Sequence, residues 1–137
     1  MSLGGEELVL VRWQGGERFE GGVPGRAPTL VDGEGQAATN PVDLLLVAAA
    51  TCSGVDVVAI LSKLRVALHT LVIAVRGTRR EAPPRRYTAI HFTFTVTGTG
   101  ADEVKTRRAV ELSVMKYCSV IASLASDIAV TYDVVVR

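Results

Sequence analysis

Between Leu44 and Leu61 the chain runs LLLVAAATCSGVDVVAIL, almost entirely aliphatic or small, with Asp56 as its one charge. A run of this length and composition has few homes: a membrane, a protein core or an interface. A carboxylate near mid-span is costly in lipid, so a buried helix is expected and a membrane span is not. The start of the helix is marked. Asn40 suits the N-cap, Pro41 the first helical position, and Asp43 the third position of a capping-box-like start. The spacing predicts a helix to about Arg65, roughly 37 Å long at 1.5 Å per residue. From Leu44 to Val55 it is apolar nearly all round, and a chain of 137 residues offers little to sheath it alone. A partner subunit is therefore expected.

The length suits one domain. A single domain over 1–137 is expected, with an N-terminal β-hairpin region at 1–39, a central helix at 40–66, and C-terminal strands and helices at 67–137. Hydrophobic residues at 48% and charged ones at 21% exclude a disordered chain. A formal net charge of +1 gives no footprint for nucleic acid or an acidic membrane surface, and neither is expected as a partner. The opening MSLGGEELVL has no basic region and no apolar core of an export signal, so a cytoplasmic protein is expected. In that reducing compartment a structural disulfide is disfavoured, whereas a transient catalytic one is allowed.

Strands are predicted at Glu7–Trp13, Arg18–Glu20 and Arg26–Val31, followed by a polar loop over Asp32–Thr39. Beyond the long helix, strands are predicted at Thr70–Thr78 and Tyr87–Gly98. In the second, Ile90, Phe92, Phe94 and Val96 share one face. Asp102–Tyr117 reads as an amphipathic helix with Val104, Leu112 and Met115 on or near one face. A break at Tyr117 and Cys118, a short helix at Ser119–Ala125 and a strand at Ile128–Val136 complete the chain. The plan is α+β, with helices against a mostly antiparallel sheet.

Two cysteines are the residues best suited to chemistry. Cys52 lies about three turns into the helix among Thr51, Ser53 and Gly54, too deep for the helix dipole to ionise it. A reactive Cys52 needs a cation from elsewhere; an unreactive one is simply a small buried hydrophobe. Cys118 precedes a short helix, where free N–H groups favour a thiolate, or else it is a cap residue under a packed turn. Their separation in sequence excludes a CxxC motif. His69, read as a helix-to-strand connector, and His91, read as an exposed strand residue, complete no zinc spacing, so no metal and no cofactor is expected. No phosphate-binding glycine loop and no G-x-S-x-G elbow is present. Asp43 and Asp56 stand about 20 Å apart along the helix, too far for a carboxylate pair.

The segment NPVDLLLVAAATCSGVDVVAILSKLR, then LSVMKYCSVIASL and a closing strand, resembles the OsmC/Ohr family over nearly the whole chain. The match is to the OsmC-like branch, with N-P-[VM]-[DE]-L-L-L. The resemblance implies an OsmC-like fold and an intertwined homodimer with long central helices buried between subunits. It also implies two active sites at the dimer interface. Cys52 matches the peroxidatic cysteine of the motif and Cys118 the resolving one. A G-G-R-like turn matches GGER, which makes Arg18 the thiolate-activating arginine, with Arg12 and Arg26 as rivals. The Ohr branch has Glu directly after Asn-Pro to hold that arginine; here Val42 stands there, and Asp43 either replaces the Glu or only caps the helix.

The implied activity is a cysteine-based peroxidase for organic hydroperoxides. It would run through a Cys52 sulfenic acid and a Cys52–Cys118 disulfide, recycled by an external dithiol of the lipoyl type. Leu45, Ala48 and Ala49 with residues of the partner subunit would form the apolar substrate pocket. The alternative is an OsmC-like dimer that binds a small apolar ligand without peroxidase turnover. A purely structural dimer would leave the placement of both cysteines unexplained.

Overall fold

The computed structural model describes residues 5–137. The first four residues, part of the hairpin region and of the segment read as lacking an export signal, lie outside them. The chain gathers into two compact units that divide within the long helix, one ending at Leu45 and the other starting at Leu46.

In the first unit, β1 (Leu10–Gly15), β2 (Arg18–Gly22) and β3 (Thr29–Asp32) form an antiparallel meander in that order. The β1–β2 turn passes through Gly15 and Gly16 at φ 101° and 57°, a conformation glycine adopts without steric cost. The third strand starts at Thr29 rather than Arg26. A turn closed by Arg26 N–H to the Val23 carbonyl comes first, and Pro28 has no N–H to give a ladder. The loop after β3 is organised by Asp32, whose carboxylate accepts from the backbone N–H groups of Glu34, Gln36 and Ala37 at 3.0, 3.3 and 2.9 Å.

The long helix, α1, spans Pro41–Lys63. Asn40 caps it, its Oδ1 accepting from the Asp43 N–H at 2.8 Å. At the other end Arg65 takes a left-handed φ of 63°. Val66 N–H then reaches the Leu61 carbonyl at 3.0 Å and Arg65 N–H the Ser62 carbonyl at 3.0 Å. This is a Schellman motif, closed by buried Leu61 and Val66, with arginine where glycine is usual.

In the second unit, β4 (Ala67–Arg79) pairs antiparallel with β5 (Tyr87–Thr99), and β6 (Ala129–Val136) lies parallel to β5 on its other side. The chain between β5 and β6 supplies the long crossover that parallel pairing requires. It contains α2 (Glu103–Leu112), a π-helical turn (Ser113–Tyr117) and α3 (Ser119–Ala122). The fold is α+β, antiparallel throughout except for β5–β6. As the alternation in β5 predicts, Ile90, Phe92, Phe94 and Val96 are fully buried on one face. His69 is within β4, at a bulge between Leu68 and Thr70, and not in the connector before it.

The helices are buried along small residues. On α1 the buried positions are Ala49, Ala50, Ser53, Gly54, Val57 and Leu61, a stripe at helical spacing. A Cβ at Gly54 would lie 3.1 Å from Ile73 Cδ1, so the sheet approaches α1 closely there. On α2 the buried residues are Thr106, Ala109 and Val110, continued by Ser113 and Val114. The expected face of Val104, Leu112 and Met115 is not the packed one: Val104 is 80% and Met115 71% exposed. Close helix approach selects small side chains, and these were not the apolar residues that stood out in the sequence. The rest of α1 is uncovered, with Leu45, Val47, Val55 and Val58 exposed. By length and composition alone it could cross a membrane, and 33% of its most apolar window is buried.

Candidate active site

Cys52 is half-buried on α1, one residue before the buried stripe resumes at Ser53. Cys118 is 3% exposed, at the junction of the π-turn and α3. Cys52 is near enough to Cys118 to act on its ionisation. The Cys118 sulfur also lies 3.9 Å from the carbonyl of Ala49, one turn before Cys52. Two cysteines far apart in sequence are thus brought to one stretch of α1, because the turn carrying Cys118 seats on its small-residue stripe.

The π-turn performs that seating. An α-helix running through Cys118 would pair its N–H with the residue four back, whereas here Cys118 N–H bonds the Ser113 carbonyl, five back, at 2.8 Å. The extra residue re-aims Cys118. Such turns are frequent at functional sites. Ser113 Oγ lies 2.8 Å from Asp56 Oδ2, 3.0 Å from Ser53 Oγ and 3.2 Å from the Ser53 carbonyl. Its single proton goes best to the carboxylate, leaving its oxygen to accept from the Ser53 hydroxyl. Thr51, next to Cys52, turns its hydroxyl back to the Val47 and Ala48 carbonyls at 2.8 and 3.2 Å. Beyond Asp56 a cavity of about 400 Å³ opens along α1, bordered by Lys63, Leu112 and Tyr117.

Electrostatics separate Cys118 from an activated thiolate. Ile121 N–H donates to its sulfur at 3.4 Å, the contact expected at a helix start, and pulls its pKa down. Burial pushes the other way and wins, with the neighbouring Cys52 adding to it, so the Cys118 pKa is raised. The helix-start N–H groups act in the expected direction, and burial outweighs them.

Arg18 is exposed on β2, directly opposite Asp32 of β3. Backbone hydrogen bonds, from Ala37 first, hold the Asp32 carboxyl below its usual range, and the Arg18 charge adds to them. Arg12 lies on β1 opposite Glu20, and Arg26 in the β2–β3 connection. Asp43 sits in the first turn of α1 with its N–H on the Asn40 cap. His91 Nδ1 is 2.6 Å from Thr131 Oγ1 and Nε2 3.1 Å from Asp133, so this strand histidine is tied to β6 and not simply solvated. Among the described residues no three His, Cys, Asp or Glu side chains gather as a metal site would need.

Asp32, Ser53 and Ser113 carry no mark in the sequence that picks them out. Asp56 does have one: it follows Cys52 by four residues and so shares its helix face.

The fold and the paired thiols define an α+β dithiol protein built on one long helix. Residues 33–133 match the family described as OsmC-like protein. The Escherichia coli K12 protein YhfA is 38% identical over 124 residues, spanning 90% of this chain and 92% of its own length. A crystal structure of a hypothetical protein from Aquifex aeolicus VF5 is 29% identical, with TM-score 0.82 over 97% of this chain and 98% of that one. The organic hydroperoxide resistance protein OhrB of Bacillus subtilis shares the fold at 18% identity, with TM-score 0.61 over 94% of this chain and 97% of its own. The chain belongs to the OsmC-like family.

The raised Cys118 pKa has a measurable sign. Burial favours the neutral thiol, so the folded-state pKa exceeds the unfolded one. The associated stability is complete below the unfolded value, about 8.5, and is lost as pH rises through the folded value. In native protein carrying Cys52→Ser, Cys118 alkylation by iodoacetamide should lag that of the urea-unfolded chain at pH 8–9. Equal rates would show that burial does not control this thiol.

Proposed function

We propose that this protein is a cytoplasmic, thiol-dependent hydroperoxide reductase. Membership of the OsmC-like family supports a redox or stress-response role, and the name of the fold relative OhrB supports organic hydroperoxides as substrates. The observation that carries the reading is that the sulfur of buried Cys118 lies on α1 at Ala49, one turn before half-buried Cys52. The more accessible thiol is the better placed to meet a peroxide, and the sheltered one to wait for the product.

In the proposed cycle the Cys52 thiolate attacks the distal oxygen of ROOH. The O–O bond breaks, ROH leaves with a proton, and Cys52 becomes a sulfenic acid. The Cys118 thiol displaces the hydroxyl as water, forming the Cys52–Cys118 disulfide. An external dithiol, of the lipoyl type in this proposal, reduces it by two exchanges and is itself oxidised. Arg18 is the proposed cation for the Cys52 thiolate, since arginine stays charged and can donate to both sulfur and peroxide oxygen. Asp32, its cross-strand neighbour, joins Asp43 as a candidate to orient it.

A second reading, an apolar-ligand binder without turnover, draws support from a cavity of about 580 Å³ in the first unit, lined by Val9, Val11, Phe19, Val31, Pro41 and Leu44.

One equivalent of cumene hydroperoxide should give a Cys52–Cys118 disulfide by mass spectrometry. Cys118→Ser should stop at the sulfenic acid, and Cys52→Ser should lose peroxide consumption with a dithiol. Full activity in Cys52→Ser overturns the mechanism, and no consumption by the wild type favours the ligand binder. In a Cys118→Ser background, Arg18→Ala should slow peroxide reduction and neutral-pH alkylation of Cys52 about tenfold, the effect of about one pKa unit on a thiolate population. A loss confined to Arg12→Ala or Arg26→Ala moves the role to that arginine.

The functional unit we propose is a homodimer. Leaving Leu45, Val47, Val55 and Val58 in water costs roughly 1.5–3 kcal/mol for each fully exposed side chain. Light scattering at micromolar concentration should give a dimer mass, and Val55→Asp should weaken it. A stable, soluble wild-type monomer would sink this proposal.

A further inference from the structure

We propose that Ser113, hydrogen-bonded to Asp56 and Ser53, is the positioning residue that holds the Cys118 thiol against Cys52 and so governs disulfide closure. The inference rests on the two-cysteine reading above and adds to it the group that sets the resolving step. Closure is geometrically demanding: a disulfide needs Cα atoms within about 4.4–6.8 Å and a dihedral near a right angle, and displacements of about 1 Å slow such intramolecular steps severely. Something must therefore fix Cys118 on α1.

The segment following Cys118 is poorly suited to do so. α3 has four residues and none of them is buried. On the preceding side Ser113 is fully buried and bonded in three directions. Its N–H reaches back to the Ala109 and Val110 carbonyls of α2. Its carbonyl accepts the Cys118 N–H across the π-turn at 2.8 Å. Its hydroxyl bonds α1 at Asp56 and Ser53. Ser53 adjoins Cys52 and Asp56 lies one turn further on, so one side chain ties the backbone of the resolving cysteine to the helix of the attacking one. The bond to a carboxylate is the stronger kind, and it is part-buried, where water competes less.

In chemical terms Ser113 takes no part in the covalent step. Cys52–SOH and Cys118–SH become Cys52–S–S–Cys118 and water; Ser113 sets how often the two sulfurs are aligned for it. Losing the clamp should lengthen the life of the sulfenic acid and so raise its over-oxidation to sulfinic acid by excess peroxide. A residue needed only for folding would lower attack and closure alike.

The experiment is rapid-quench oxidation with cumene hydroperoxide, following peroxide loss, trapped sulfenic acid, disulfide and sulfinic acid. In Ser113→Ala the ratio of closure rate to attack rate should fall about tenfold or more, with sulfinic acid rising in step. Ser113→Thr, which keeps the hydroxyl, should restore the ratio to within about threefold of wild type by the same positioning logic. Asp56→Ala repeats the test from the α1 side, where the carboxylate is half-buried, and covers a folding failure of Ser113→Ala. A wild-type ratio in Asp56→Ala, or in a folded Ser113→Ala, overturns this inference while leaving the peroxidase reading intact. Absence of any disulfide in the oxidised wild type overturns that reading instead.

Discussion

Ala49, Ala50, Ser53 and Gly54 present so little side chain along one face of α1 that other backbones can come almost to its surface. Ile73 of β4 reaches within contact of Gly54, and the Cys118 sulfur stands beside the Ala49 carbonyl. A leucine at any of these positions would hold its neighbours off by the width of a side chain, and the two thiols could not meet. The stripe costs something in packing, because small residues bury little apolar area. Fully buried Val57 and Leu61 further along α1, and the Phe92–Phe94 pair of β5 with ring centroids 6.1 Å apart, supply the heavier packing.

On that close approach rests a polar arrangement with no buried side-chain nitrogen or oxygen left unpaired among the described residues. Ser53, Asp56 and Ser113 satisfy one another across two elements, as a buried network must if it is not to destabilise the fold. The same burial acts on Cys118 in the opposite sense. A sulfur has weaker partners than a hydroxyl, and the N–H groups of Ile121 and Val120 do not replace the water it has lost, so its neutral form is favoured. The asymmetry between a sheltered, protonated Cys118 and a more accessible Cys52 follows from where each sits, not from residue type.

The remaining sides of α1 meet different demands. Val55 is 69% exposed on a helix whose opposite face is fully buried. The first unit likewise exposes Val9, just before β1, and Val11 and Trp13 within it. Apolar surface of this kind is what the homodimer of the proposed function would cover.

Much of the scaffold could be read from local signals. Asn40-Pro41 marks the start of α1 because the cap and the fixed proline φ act within a few residues. The alternation of Ile90, Phe92, Phe94 and Val96 fixes the buried face of β5 because the period of a strand is a local property. The motifs around Cys52 and Cys118 likewise sufficed to suggest the family. The packed face of α2 and its continuation into the π-turn was not legible, since Thr106, Ala109 and then Ser113 are chosen for closeness to a neighbour that the local pattern does not reveal. Nor was the π-turn, whose extra residue leaves no mark in composition, or the Ser113–Asp56 bond between residues far apart in sequence. The sequence by itself determined the elements and the reactive residue types, because propensity, capping and periodicity act over a few residues. Only the tertiary structure decided which groups touch and which thiol is shielded, because burial, desolvation and hydrogen bonding between distant segments exist only once those segments have packed together.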